Sequence, residues 1–77
     1  MWVKYKNKIV NLDEVLSIII DEKTEDYYLD KKYKAVIYFE TKNVGTFFLF
    51  DNVEEAHKVF DAIQVFLGSS EDNLLEV

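Results

Sequence analysis

Two runs of β-type residues and one amphipathic segment follow one another in AVIYFETKNVGTFFLFDNVEEAHKVFDAIQVFLG, residues 35–68. The runs AVIYF (35–39) and TFFLF (46–50) consist mainly of the β-branched and aromatic residues that favour strands. The turn-forming sequence KNVG (42–45) separates them. This order predicts a β-hairpin that leads directly into a helix.

The helix is predicted over about residues 53–67, because its apolar residues form one stripe of helical period. That stripe consists of Val53, Ala56, Val59, Phe60, Ile63, Phe66 and Leu67. Asn52 is the expected N-cap, since Glu55 then occupies the capping-box position. Gly68 is expected to end the helix as a left-handed residue. If Phe60 lies centrally, its replacement by Ala should cost roughly 3–5 kcal/mol.

The second strand of the hairpin is apolar on both faces, with Phe48 and Phe50 on one and Phe47 and Leu49 on the other. Periodicity alone does not assign the buried face. We expect Phe48 and Phe50 beneath the helix. Phe47 and Leu49 would then lie on a sheet face that something else must cover.

Upstream, residues 2–5 and 8–10 alternate in polarity and predict a hairpin with a turn at Lys6 and Asn7. Asn7 is the residue expected to adopt the left-handed backbone conformation that such a turn needs. Residues 15–20 read as a central strand, and residues 21–34 as a long polar connection. The predicted fold class is α+β, an antiparallel meander of about five strands with a C-terminal helix on one face. Residues 1–68 form the expected domain. Residues 69–77 form an acidic tail, either disordered or docked through its leucines.

Composition limits the function classes. The chain has 77 residues, a net charge of -6 and neither Cys nor Arg. Without Cys there is no thiolate metal site, and an acidic chain without Arg disfavours nucleic acid. No apolar run approaches the ~20 residues of a membrane span, and no signal peptide is evident. We therefore expect a cytoplasmic protein without a cofactor.

The sequence resembles a known family in residues 7–18, NKIVNLDEVLSI, together with residues 37–39 and 48–56. Its order of turn, Asn-x-Asp, strand, hairpin and a helix opened by Val-Glu-Glu is similar to small bacterial and phage meander-plus-helix proteins. The cadence resembles the small flagellar regulatory family of the FlbD type. The shared motifs are turn and cap signals, so the resemblance implies a fold and no site.

Ionisable clusters give weak signals for chemistry. His57 is the only histidine, with Glu54 and Asp61 one helical turn away. A metal site needs three or four converging ligands, so a solvated helix residue is the expected role. The acidic residues within 21–30 lack the spacing of a calcium loop and read as a solvated hairpin.

The N-terminal strand offers the alternative function. Trp2 and Tyr5 are interleaved with Lys4, Lys6 and Lys8, and basic residues with aromatics bind single-stranded nucleic acid. The two classes are expected on opposite faces, which weakens that hypothesis. The competing interpretation is an edge strand protected by lysines.

The best interaction candidate is the cluster Tyr27, Tyr28 and Leu29, because tyrosine is enriched at interfaces. With Phe47 and Leu49 it forms the predicted interaction surface. Packing onto the protein's own sheet is the competing interpretation. The leading hypothesis is a non-enzymatic module that binds a protein partner or itself. The alternative is a nucleic-acid-binding accessory protein.

Overall fold

The computed structural model describes residues 1–22, 33–69 and 72–77. Those residues form six strands, one helix and a single 3₁₀ turn at Leu12–Glu14. In chain order the elements are β1 (Trp2–Tyr5), β2 (Lys8–Asn11), β3 (Ser17–Glu22), β4 (Ala35–Glu40), β5 (Thr46–Phe50), α1 (Val53–Ser69) and β6 (Leu74–Glu76). The predicted α+β class is confirmed, but the strands form two sheets rather than one meander.

Strands β3, β4 and β5 form an antiparallel sheet in that order, which we call the meander sheet. Ile19 pairs with Tyr38, and Tyr38 with Phe47, so one row of side chains crosses all three strands. The prediction that residues 15–20 form a central strand is wrong. Among the described strands β3 has only β4 as a neighbour, and Ile19 is half-exposed at that edge.

The second sheet has the order β2-β1-β6 and is called the N-terminal sheet. The predicted hairpin of β1 and β2 is confirmed, but its left-handed residue is Lys6, at φ 54°, rather than Asn7. β6 pairs with β1 in parallel, with Val3 opposite Leu75. We expected the tail to be either disordered or docked through its leucines. Residues 74–76 are docked, as strand β6, and Leu75 packs against the core.

The helix begins as predicted. The side chain of Asn52 accepts a hydrogen bond from the Glu55 N–H at 3.1 Å, which satisfies one of the free amides of the first turn. The helix ends later than predicted, at Ser69, and Gly68 lies inside it without a positive φ. The C-terminal stop is therefore not the left-handed glycine that the sequence suggested.

The core lies between the helix and the inner faces of both sheets. Its fully buried large side chains are Phe39, Phe48, Phe50, Ile37, Ile63 and Val3. The expectation that Phe48 and Phe50 face the helix is confirmed. Phe60 is only partly buried at the edge of the core, so Ile63 rather than Phe60 is the central residue of the helix stripe.

Candidate functional site

The face of the meander sheet turned away from the helix is the strongest candidate surface, and we call it the outer face. Six of its side chains line a shallow groove of about 380 Å³: Ile19, Asp21, Val36, Tyr38, Phe47 and Leu49. By strand alternation Ser17 and Glu40 lie at one end of the same face, and the Ser17 hydroxyl donates to a Glu40 carboxylate oxygen at 3.0 Å. Ile19 is 47% exposed and Phe47 43% exposed, so apolar surface meets solvent on either side of the groove. Contiguous exposed apolar surface of this kind is typical of an interaction site.

Contacts hold the aromatic side chains of the outer face in place. The rings of Tyr38 and Phe47 lie 6.3 Å apart between centroids, as cross-strand partners. The ammonium of Lys8 lies 5.0 Å from the Phe47 ring centroid and donates a hydrogen bond to the Phe47 carbonyl at 2.6 Å. The ring is thus positioned by a neighbouring ring and by a cation from the other sheet.

The turn between β4 and β5 sets the register of the outer face. The Thr41 hydroxyl donates to the Val44 carbonyl and accepts from the Asn43 N–H. Gly45 comes so close to β4 that a Cβ there would lie 2.6 Å from the Phe39 carbonyl oxygen and 2.5 Å from the Tyr38 hydroxyl. Only a residue without a side chain permits this approach.

The structure places part of the predicted surface and leaves part outside it. Phe47 and Leu49 lie on the outer face, as expected. Tyr27, Tyr28 and Leu29 lie outside the described residues. Ile19 and Tyr38 belong to the same surface but were missed. Strand alternation could have predicted the position of Tyr38, because Val36 and Tyr38 lie between the inward-facing residues of β4.

The structure contradicts one of the two interpretations of the N-terminal strand, and the other, nucleic-acid binding, stays a prediction. β1 is the central strand of its sheet, so it is not a protected edge. Trp2 and Lys4 share the exposed face, whereas Tyr5 is buried in the core. The predicted separation of lysines and aromatics onto opposite faces therefore holds for Tyr5 and is wrong for Trp2. Lys4 also lies opposite Glu76 in the neighbouring strand β6.

Tyr5 connects the two sheets. Its ring lies 4.7 Å from the Phe50 ring centroid and 5.2 Å from that of Phe48. Its hydroxyl donates to a Glu55 carboxylate oxygen at 3.2 Å. Burial, and then the charge of Glu55, raise the pKa of the Tyr5 phenol, while the charge of the Tyr5 phenolate raises that of the nearby Lys6. The arrangement keeps Tyr5 neutral as part of the core.

His57 is a half-exposed helix residue whose Nε2 contacts a Glu22 carboxylate oxygen of β3 at 2.5 Å. It thus bridges α1 and the end of β3. Within the described residues no three His, Cys, Asp or Glu side chains converge as metal ligands. In the same part of the chain no helix is long and apolar enough to cross a membrane.

Comparison of the chain with protein-family models, with curated proteins and with solved structures finds no match. The resemblance to the FlbD type stays a prediction. The function is therefore argued from the geometry of the described residues.

Proposed function

We propose that this protein is a small non-enzymatic interaction module that self-associates through the outer face of the meander sheet. The observation that carries the proposal is the row Ile19, Tyr38 and Phe47, which crosses the whole sheet on its solvent side. Neighbouring apolar residues in β4 and β5 extend that row to the groove. Burial of this apolar area supplies the driving force for association.

The low charge of the outer face permits a second copy of the chain to bind there, although the chain as a whole is acidic. The chain carries a net charge of -6, so two copies repel each other over most approaches. Among the described residues the outer face carries two acidic side chains, Asp21 and Glu40, which lie toward opposite ends of it. Two copies that meet there bring few like charges together, and a two-fold arrangement presents the same apolar patch on both sides.

The association is expected to be weak. Three strands and about five residues per strand span roughly 15 by 17 Å, well below the ~800 Å² per partner of a standard interface. The oligomeric state should therefore depend on concentration.

Sedimentation equilibrium over a concentration series tests the proposal. Phe47→Lys and Ile19→Lys each place a charge on the outer face and should weaken self-association by about tenfold or more. Val65→Lys is the matched control, because Val65 is 70% exposed on the helix and receives the same change in charge. A wild-type chain that stays monomeric at millimolar concentration contradicts the proposal. So does self-association that Val65→Lys weakens as much as Phe47→Lys does.

The absence of enzymatic activity is part of the same proposal. Within the described residues the one buried side chain with an ionisable group is that of Tyr5, which packs against Phe48 and Phe50 and donates to Glu55 as part of the core. No buried Asp, Glu, Lys or His accompanies it there, so the desolvated cluster of ionisable groups that is typical of a catalytic site is not found in that part of the chain. We also retain a cytoplasmic location, which accords with the absence of Cys.

Nucleic-acid binding is the alternative function, and one observation favours it: Trp2 and Lys4 share an exposed face. The burial of Tyr5 and the position of Glu76 beside Lys4 count against it. A gel shift with single-stranded DNA and RNA at low salt separates the two functions. Binding that Trp2→Ala abolishes would support the alternative, whereas no shift would leave self-association as the better account.

A further inference from the structure

A second apolar groove lies on the other side of β3, between that strand and the C-terminal half of the helix. It has a volume of about 350 Å³ and is lined mainly by apolar side chains. The apolar lining residues that meet solvent most are Leu16, which is 62% exposed, and Leu67, which is 45% exposed. Phe60 and Ile18 form its deeper wall and pack only partly against the core. This surface is separate from the outer face.

The groove runs along a strand edge. Among the described strands β3 pairs only with β4, and its first two residues, Ser17 and Ile18, line the groove together with Val15 and Leu16 just before them. Unpaired N–H and C=O groups of an edge strand pair readily with an added strand. The four consecutive residues 15–18 match an added extended segment of about four residues. Alternate side chains of that segment would enter the groove.

The rim of the groove is acidic. His57, Asp61 and Gln64 lie on one ridge of the helix at spacings of four and three. The ends of that ridge are fixed, because His57 contacts Glu22 of β3 and Gln64 lines the groove. Asp61 therefore lies beside the groove between them.

A second carboxylate, that of Glu14, lies close to Leu16 at the opposite end, in a shallow depression that Lys42 also lines. Asp61 and Glu14 have no ion-pair partner within the described part of the chain. The rim thus presents two carboxylates, neither of them in an ion pair with a described residue, beside apolar walls.

We infer that the groove between the start of β3 and the helix binds an extended peptide segment that alternates apolar and basic residues and adds as a strand beside residues 15–18, which pair with no described strand other than β4. Basic side chains would face Asp61 and Glu14, and apolar ones would pack against Leu16 and Leu67. A second copy of this acidic chain fits less well, since its own rim would bring like charges together. The site is independent of the proposed self-association.

Titration of the full-length ¹⁵N-labelled protein with the peptide Ac-KVKLKVK-amide tests the inference. The expected result is saturable shifts of the amide signals of Ser17, Ile18 and Gln64, with binding that weakens as salt is added. Leu16→Lys and Leu67→Lys should each weaken binding by about tenfold or more, since both remove apolar contact and add repulsion. Both residues are exposed, so folding should be retained.

Three comparisons make the test specific. Val65→Lys is the charge-matched control on the same helix and should bind as the wild type does. The peptide Ac-DVDLDVD-amide should not bind, and Ac-KVKPKVK-amide, which lacks one backbone donor, should bind at least about tenfold more weakly. Equal binding of the proline peptide would overturn strand addition. Equal binding to Leu16→Lys, or shifts confined to the outer face, would overturn the location.

The occupant is tested separately. Sedimentation of Leu16→Lys should show the same self-association as the wild type. If Leu16→Lys dissociates copies of the protein, the groove holds a second copy and the inference is overturned. If Phe47→Lys alone dissociates them while peptide binding persists, the two surfaces act independently, as inferred.

Discussion

The inner and outer faces of the meander sheet come from the same three strands and from similar residue types, yet they differ in solvent exposure. On the inner face Ile37, Phe39 and Phe48 are fully buried beneath the helix. On the outer face Ile19 and Phe47 keep close to half of their surface exposed. Apolar composition by itself therefore does not distinguish a residue that stabilises the fold from one that offers a contact. The position of α1, which covers the inner face, decides which residues are buried.

The largest expected effect compares two adjacent phenylalanines of β5. Phe48→Ala removes a fully buried ring and should cost roughly 3–5 kcal/mol of the free energy of unfolding. Phe47→Ala should cost only about 1 kcal/mol, because that ring is already partly solvated. Urea denaturation followed by circular dichroism at micromolar concentration measures both. Similar losses for the two variants would erase the distinction between the faces.

The next effect concerns the strand that closes the N-terminal sheet. Deletion of residues 74–77 removes β6, the parallel partner of β1, together with the packing of Leu75 and Val77 against the core. We expect a loss of about 2 kcal/mol from the apolar area exposed. Chemical denaturation of the truncated and full chains gives the value. A truncated chain of unchanged stability would show that β6 adds nothing to the core.

The two glycines provide a matched pair. Gly45→Ala should destabilise by about 1–3 kcal/mol, since its Cβ would meet the Phe39 carbonyl oxygen and distort the outer-face hairpin. Gly68→Ala should stabilise by roughly 0.5–1 kcal/mol, since Gly68 lies in the helix with nothing within 4 Å of the new Cβ. Thermal unfolding of both variants gives the two signs. A neutral Gly45→Ala would mean that the turn tolerates a side chain.

The smallest effect is the pH dependence of Tyr5. The pKa of Tyr5 is raised in the folded protein above its ordinary value of 10.0, so above that pH the unfolded chain loses the proton more readily than the folded one. The unfolded state then binds fewer protons, and the free energy of unfolding falls as pH rises. Tyr5→Phe lacks this ionisation and should lose stability less steeply. Urea midpoints between about pH 8 and pH 11 measure the slopes, and parallel slopes would contradict the burial of the phenol.

Local signals predicted most of the fold. Asn52 caps the helix, and Phe48 and Phe50 lie beneath it, because capping and alternation act between residues close in sequence. The pairing of β6 with β1 was not predictable in this way, since it joins the two ends of the chain. Four of the six groove-lining side chains of the outer face were likewise missed, and those of β3 join Phe47 only through the register of two strand pairs.

Self-association through the outer face is tested most directly by ¹⁵N-resolved NMR spectra recorded over a dilution series of the wild-type protein. The account predicts concentration-dependent amide shifts in the rows of Ile19, Tyr38 and Phe47, with the signals of Val65 and Gly68 on the helix unchanged. Spectra that do not change with concentration, or shifts centred on Leu16 and Leu67 instead, would contradict it.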